Sequence, residues 1–294
     1  MVDELGLSQK IIYVDKTHPA ATVRCVFANG QLSTLPSDFS SLFKKIPPFS
    51  KPLVLAAYQD LITEKKIIED ESIHEFVSRR LGKDIAEYAV DPMVRGICSG
   101  DSKEISAKSF VLGPLFKMEQ ESGGIVKGMI KGMFKRSEPN KPDTDSELVK
   151  QARRQNWSVW SLENGLEQFP ETLKKNLSKE GIEFVLNSPV QKIVRGDRDN
   201  SLTVLTNESS YTSDHLFLTT PAFASSKVTE SLDFNLSKIL NSIPFVTVAV
   251  VNVEYPGEVQ PLDAFGFLVP SSQRVPILGA VFDTCCFRYV PTGL

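Results

Sequence analysis

What the chain lacks narrows the field first. Its 294 residues hold three histidines, at 18, 74 and 215, too few and too scattered for a histidine-based metal site. Four cysteines, Cys25, Cys98 and the adjacent Cys285 and Cys286, show neither zinc-ligand nor disulfide-framework spacing, so no metal is expected and a reducing or mixed compartment suits them. A formal charge of -3, from 33 basic and 36 acidic residues, gives no net pull toward polyanions and argues against a nucleic-acid partner. Long apolar runs are missing too. The longest, Phe245 to Val253, is broken by Thr247 and Asn252 and falls far short of the ~20 residues a membrane-crossing helix needs. The first residues include Asp3 and Glu4 and lack the basic and apolar regions of a secretory signal, and they do not read as a natural domain start. No Gly-x-Gly-x-x-Gly turn occurs. Gly124, Gly128 and Gly132 recur every four residues instead, which lines a helix face and cradles no phosphate.

What is present is a soluble, globular composition, long enough for one large or two ordinary domains. The chain is organised around residues 160–193. Leu166, Phe169, Leu173 and Leu177 share one helical face, Pro170 fits only the first turn, and Lys174, Lys175 and Lys179 crowd the end where the helix dipole favours cations. Gly181 supplies the left-handed stop. A strand from Ile182 to Leu186, a turn at Asn187-Ser188-Pro189 and a strand from Val190 to Val194 follow.

Gly-Leu-x-x-x-Pro-x-x-Leu, a helix, a glycine, a strand and then Pro-Val resemble the second FAD-contacting segment of the flavin amine oxidase superfamily, and the rest of the chain resembles its protoporphyrinogen oxidase family. The valine after the proline, here Val190, is by that resemblance a flavin contact. Asn164-Gly165 stands where the family has Gly-Gly, and asparagine tolerates positive φ. By itself the motif also describes an ordinary helix-strand pair.

Taken from the N-terminus, Leu5-Gly6-Leu7 reads as a helix end and Ile11 to Val14 as a strand. His18-Pro19-Ala20-Ala21 leads to Arg24 and then a hairpin, Cys25-Val26-Phe27 against Leu32, turning at Asn29-Gly30. The resemblance gives Arg24 a propionate of the tetrapyrrole, a task its planar fork suits, although an arginine at a strand start is equally at home in solvent. Residues 50–140 read as helical, with a capping box at Ser72 and Glu75, an inner face of Ile73, Phe76 and Val77, and a stop at Gly82 after Arg79-Arg80-Leu81. Asp91-Pro92-Met93-Val94-Arg95-Gly96 and Gly100-Asp101 match a second family pattern, in which the Gly96 carbonyl faces the pyrrole nitrogens; Arg95 either serves the site or ties helices together, and the structural role is preferred. In residues 123–136, Lys127, Lys131 and Lys135 share one face, with Ile125, Met129, Ile130, Met133 and Phe134 as apolar surface. This basic amphipathic helix suits either a lipid interface or packing on its own domain. Ser137 to Asp145 reads as a polar loop and Arg195 to Asn200 as a charged turn.

Strands are expected at Leu202 to Leu205, at His215 to Thr219 and, apolar on both faces, at Phe245 to Val253, with a helix from Leu232 to Leu240. Phe265-Gly266-Phe267-Leu268-Val269-Pro270 resembles the family segment whose phenylalanine and leucine hold the macrocycle, which carries Phe265 and Leu268 into the site; Val281 matches a further apolar wall. Apolar strand residues of this kind also serve ordinary cores. Beyond Asp283 the resemblance lapses.

The expected fold is α/β (α+β): a partial FAD-binding domain of the p-cresol methylhydroxylase or amine-oxidase-like kind over 1–18 and 160–232, an inserted helical domain over 19–159 that is substrate-facing and membrane-associated, and a partial mixed-sheet substrate domain over 233–294. The resemblance implies FAD-dependent oxidation of protoporphyrinogen IX by oxygen, peripheral attachment at the mitochondrial inner membrane, and leaves a homodimer open. It also leads to the expectation of a truncated chain, impaired because the pyrophosphate turn and the C-terminal flavin segment are missing. No side chain is cast as a catalytic acid or base. An amine oxidase, a polyene desaturase and a non-catalytic tetrapyrrole-binding remnant stay open as alternatives, with Arg24 arguing for a carboxylated substrate.

Overall fold

A computed structural model of the chain describes residues 1–134, 146–196, 201–257, 259 and 262–287. The expectations for Lys135, Ser137 to Asp145, part of the turn at 195–200 and the tail beyond Phe287 lie outside these residues. The chain forms two compact units, Met1–Leu173 with Val250–Leu294, and Lys174–Ala249. Helices and strands mix in the manner the α/β (α+β) reading expects.

In the larger unit, β1 (Ile11–Asp15) pairs antiparallel with β4 (Trp157–Leu162), and Tyr13 stacks on Trp157 at 4.5 Å across the ladder. The helix end read at Leu5-Gly6-Leu7 is a set of turns, since Gly6 takes a φ of 69° that breaks helical continuation. A short α1 (Pro19–Thr22), capped by His18, leads to the expected hairpin of β2 (Cys25–Ala28) and β3 (Gln31–Thr34). Asn29 and Gly30 both have positive φ, 54° and 75°, as a two-residue hairpin turn of matching twist requires. β2 then runs parallel to β8 (Gly266–Leu268), which pairs antiparallel with β9 (Gly279–Val281). The result is one mixed sheet of order β3-β2-β8-β9. α12 (Asp283–Cys286) follows β9.

The helical part comprises α2 (Val54–Ile62), α3 (Ile73–Leu81), α4 (Lys83–Ile85), α5 (Asp91–Cys98), α6 (Gly113–Ser122), α7 (Ile125–Phe134) and α8 (Glu147–Arg154). The capping box forms as expected: Glu75 N–H donates to Ser72 Oγ at 3.2 Å, and Ser72 Oγ–H donates to Glu75 Oε2 at 3.2 Å. Ile73, Phe76 and Val77 are fully buried with Val94, Ala107, Phe116 and Ile125. Removing several such side chains from water supplies the largest favourable contribution, at about 1.5–3 kcal/mol each. Beneath this core lies an ionic layer. Arg80 is completely buried, donates from Nε to Asp60 Oδ1 at 2.7 Å and from Nη1 to the Thr63 carbonyl at 2.9 Å, while Arg79 grips Glu119 with two bonds of 2.6 and 2.9 Å. Asp60 in turn accepts the Ile125 and Val126 N–H groups at the start of α7, at 3.2 and 2.8 Å.

The smaller unit contains the latter part of α9 (Gln168–Lys179), the meander β5 (Val190–Arg195), β6 (Leu202–Thr206) and β7 (Ser210–Ser213), then α10 (Ala222–Thr229) and α11 (Phe234–Asn241). Three expected strands are corrected here. Residues 182–186, 215–219 and 245–253 join no ladder among the described residues. Their apolar side chains are exposed, Leu186 by 63%, Phe217 by 89% and Val246 by 61%. A strand needs a neighbour for its hydrogen bonds, and within the described residues these runs find none.

Candidate functional site

The mixed sheet brings four of the six sequence-derived site residues together, and α5 adds a fifth. Arg24 immediately precedes β2 and Phe265 immediately precedes β8; because the two strands are parallel neighbours, their leading residues meet. Phe265 N–H donates to the Val23 carbonyl at 3.3 Å, and the Arg24 guanidinium carbon lies 4.6 Å above the Phe265 ring. Arg24 Nη1 donates to the Ala20 carbonyl at 2.9 Å and the Val23 carbonyl at 3.2 Å. The guanidinium is thereby anchored from one nitrogen. Its fork has five N–H donors, and the residue is exposed, so the remaining edge can receive a carboxylate.

Val281 pairs with Gly266 in the β8-β9 ladder, and Phe282 N–H donates to the Phe265 carbonyl at 2.9 Å. Phe267 adds an aromatic row with Phe27 and Phe282, at centroid separations of 6.3 and 6.1 Å. Positions 265 and 268 would point to opposite faces of a regular strand. Phe265, however, stands outside β8, ahead of Gly266, whose φ of 150° is foreign to ordinary strand backbone, so strict alternation does not govern it.

Leu268 is the link to the helical part. A β-carbon built on Gly96 would run into Leu268 Cδ2 and come within 3.2 Å of Cδ1, and one built on Gly279 would approach Cδ2 to 3.0 Å. The leucine is seated between two glycines. Gly96 lies in the last turn of α5, which ends at Ser99 in the left-handed conformation. Ser99 N–H takes the Arg95 carbonyl at 2.8 Å, and helix geometry leaves the carbonyls after it to partners outside the helix. An exposed Gly96 carbonyl can therefore accept from a ligand N–H.

Near Arg24 lies a group that sequence reading passed over. The Cys286 thiol on α12 is pushed up from its ordinary value by burial, then by Cys285 and Asp283, with Arg24 pulling the other way. Cys285 Sγ sits 3.6 Å from Asp263 Oδ1. Among the described residues no group of three or more metal-ligating side chains occurs.

Val190 belongs to the smaller unit. It opens β5 and borders a cleft of about 260 Å³ walled by Val185, Val204, Tyr211 and Leu216, with hydroxyls of Ser188, Thr206 and Ser213 at its rim. Toward a flavin ring this unit offers the apolar wall around Val190, and no Gly-x-Gly-x-x-Gly turn occurs within these 294 residues. A second cleft, of about 270 Å³, is lined by Lys16, Val149, Arg153 and Trp157 among others.

On α7, Ile125 turns into the core, whereas Met129, Ile130 and Met133 are 50%, 48% and 85% exposed beside exposed Lys127 and Lys131. No helix among the described residues is long and apolar enough to cross a membrane.

The sequence profile of the family described as "Flavin containing amine oxidoreductase" matches residues 1–293. Protoporphyrinogen oxidase of Bos taurus is 37% identical over 287 residues, covering 98% of this chain and 59% of that protein; the Homo sapiens protein is 36% identical over the same span. Protoporphyrinogen oxidase 1, chloroplastic, of Arabidopsis thaliana is 28% identical over 98% of this chain and 54% of its own length. A crystal structure of a provisionally assigned protoporphyrinogen oxidase from Exiguobacterium sp. 255-15 superposes with a TM-score of 0.67 at 17% identity, over 98% of this chain and 59% of that one, a likeness of fold. The chain thus spans 59% of the length of its bovine and human relatives.

Proposed function

The chain belongs to the flavin-containing amine oxidoreductase family, and from that premise we propose that it serves the FAD-dependent oxidation of protoporphyrinogen IX to protoporphyrin IX in haem and porphyrin synthesis, with oxygen as final acceptor. The observation that carries this reading is the meeting of Arg24 with Phe265 on the sheet that also holds Leu268 against Gly96. A tetrapyrrole is a broad apolar disc with carboxylates on one edge and N–H groups at its centre. Phe265, Leu268 and Val281 offer apolar walls, the free edge of Arg24 offers a paired charge for a propionate, and the Gly96 carbonyl offers an acceptor for a pyrrole N–H. The chemistry FAD supplies when bound is acceptance of hydride from a bridging carbon. What the protein contributes is placement, with Val190 as the candidate flavin contact in the smaller unit.

The relatives' shared name supports the substrate, and the family supports a flavin. We place the chain peripherally at the mitochondrial inner membrane, with the Met129, Ile130 and Met133 face of α7 in the lipid interface and Lys127 and Lys131 toward anionic headgroups. A homodimer is part of the same proposal.

The test is titration of the purified chain with protoporphyrin IX, the air-stable product, followed by its Soret band. Saturable binding is expected, and Arg24→Ala weakens it at least about tenfold, the worth of one charge-assisted hydrogen bond. Binding that ignores the loss of Arg24 would rule out the carboxylate role and move the chain toward relatives with uncharged substrates.

A further inference from the structure

The Leu268 seat has to be maintained between two separate elements, a helix and a hairpin, and the structure contains a device that joins them. Arg95 Nη1 donates to the Val269 carbonyl at 3.0 Å. One turn earlier on the same helix face, Asp91 Oδ2 accepts the Ser271 N–H at 2.6 Å, and its other oxygen accepts Ser102 Oγ–H at 2.8 Å. Asp91 is 3% exposed, and Ser102 and Val269 are fully buried. Both clamp points fall on the segment directly after Leu268, and the residue directly after Arg95 is Gly96.

We propose that Asp91 and Arg95 are positioning residues of the macrocycle site: a two-point polar clamp that holds the Gly96 end of α5 against β8, setting the separation between the Gly96 carbonyl and the Leu268 wall. The proposal rests on the tetrapyrrole reading above. Neither residue needs to touch the ligand. Hydrogen bonds suit the role because they fix register as well as distance. The apolar contact of Leu268 with a glycine surface tolerates sliding; a carbonyl and an N–H two residues apart, each with its own partner, do not. The Asp-x-x-x-Arg-Gly spacing has the same sense, since residues four apart share a helix face and the next one turns away from it.

The experiment measures the protoporphyrin IX dissociation constant and the thermal midpoint for the wild-type chain, Arg95→Ala, Arg95→Lys, Asp91→Ala, Asp91→Asn and, as a control for destabilisation alone, Val77→Ala in the helical core. The alanine variants are expected to bind about tenfold more weakly, the equivalent of one buried hydrogen bond, with an altered Soret position of the bound porphyrin. Lysine keeps a donor for the Val269 carbonyl, and asparagine keeps an acceptor for Ser271 N–H and a donor for Ser102 Oγ, so both are expected within about threefold of wild type. Val77→Ala lowers the midpoint and leaves affinity unchanged. The clamp is overturned if the alanine variants bind like wild type, or if Arg95→Lys is as weak as Arg95→Ala, which would place the guanidinium on the ligand itself. A wild-type chain that binds no porphyrin overturns the substrate reading and the clamp's role with it. Wild-type binding with undisturbed alanine variants overturns the clamp alone.

Discussion

The helices of residues 54–134 gather a cluster of fully buried apolar side chains beside several exposed ones, whereas in the smaller unit, Lys174–Ala249, most large apolar side chains stay open to water. In the first, Ile73, Phe76, Val77, Val94 and Phe116 are at most 4% exposed, over an ionic layer in which every formal charge of Arg80 and Glu119 meets a partner. In the second, Ile182, Val185, Leu186, Phe217, Phe245, Val246 and Val248 are between 45% and 89% exposed. A helix satisfies its own backbone and needs only one covered face. A strand needs a partner on its edge before burial of its faces can begin, so an apolar strand sequence without an adjacent strand stays open to water.

The sharpest way to break this contrast is Arg80→Ala, which leaves the buried Asp60 carboxylate without its ion-pair partner, while Glu119 keeps Arg79. A loss of about 3–5 kcal/mol is expected in chemical denaturation, and a small loss would show that the ionic layer is dispensable. Phe76→Ala should cost a similar or slightly smaller amount, about 3–5 kcal/mol, through the cavity left against Phe116, whose ring centroid lies 5.6 Å away.

Acid should act on the same layer. Burial pushes the Glu119 carboxyl up, but the Arg79 side chain, the Lys66 N–H and the charges of Arg79 and Arg80 together leave it below its ordinary value. A folded-state value below the unfolded one means that the stabilisation is complete above the unfolded value and fades as pH falls toward and through the folded one. Far-ultraviolet circular dichroism across an acid titration should therefore show helix stability declining below the ordinary glutamate range, and the Glu119→Gln chain should lack that component. An identical acid profile for the variant would assign the decline to other carboxylates.

In the smaller unit the expectation reverses. Phe217→Ser and Val246→Thr should change stability by no more than about 0.5 kcal/mol, because Phe217 is 89% and Val246 61% exposed and little buried area is lost. A large loss would mean that these runs are covered in solution. The smallest effects are in thiol labelling. Exposed Cys98 should react first, Cys286 slowly and faster only at higher pH given its raised pKa, and buried Cys25 and Cys285 last.

The legible parts of the fold were those with local instructions. Ser72 and Glu75 announce their helix, Asn29-Gly30 its hairpin, and Gly181, at a φ of 90°, the end of α9. Strand β4 was not legible, because Trp157 to Leu162 alternates only partly and acquires its structure from β1, more than a hundred residues away in sequence. Arg79-Arg80 read as an ordinary basic helix end. Only the packing of α2 and α6 supplies the carboxylates that allow burial, and that packing is invisible to spacing along one helix. All six candidate site residues could be named from short motifs, yet Cys286 beside Arg24 had no signal, since its neighbourhood is made by α1 and α12 coming together.

The amino-acid sequence by itself determined the helices and turns, the glycines at 96 and 279 and the spacing of Asp91 from Arg95, because each depends on the conformational range or side-chain direction of nearby residues. Which strands find partners, which charges go inside, and that Arg24 should lie over Phe265 while Leu268 rests between two glycines were decided only by tertiary structure. The physical reason is that hydrogen-bond partners and excluded water come from residues far along the chain, and a side chain's environment exists only once they arrive.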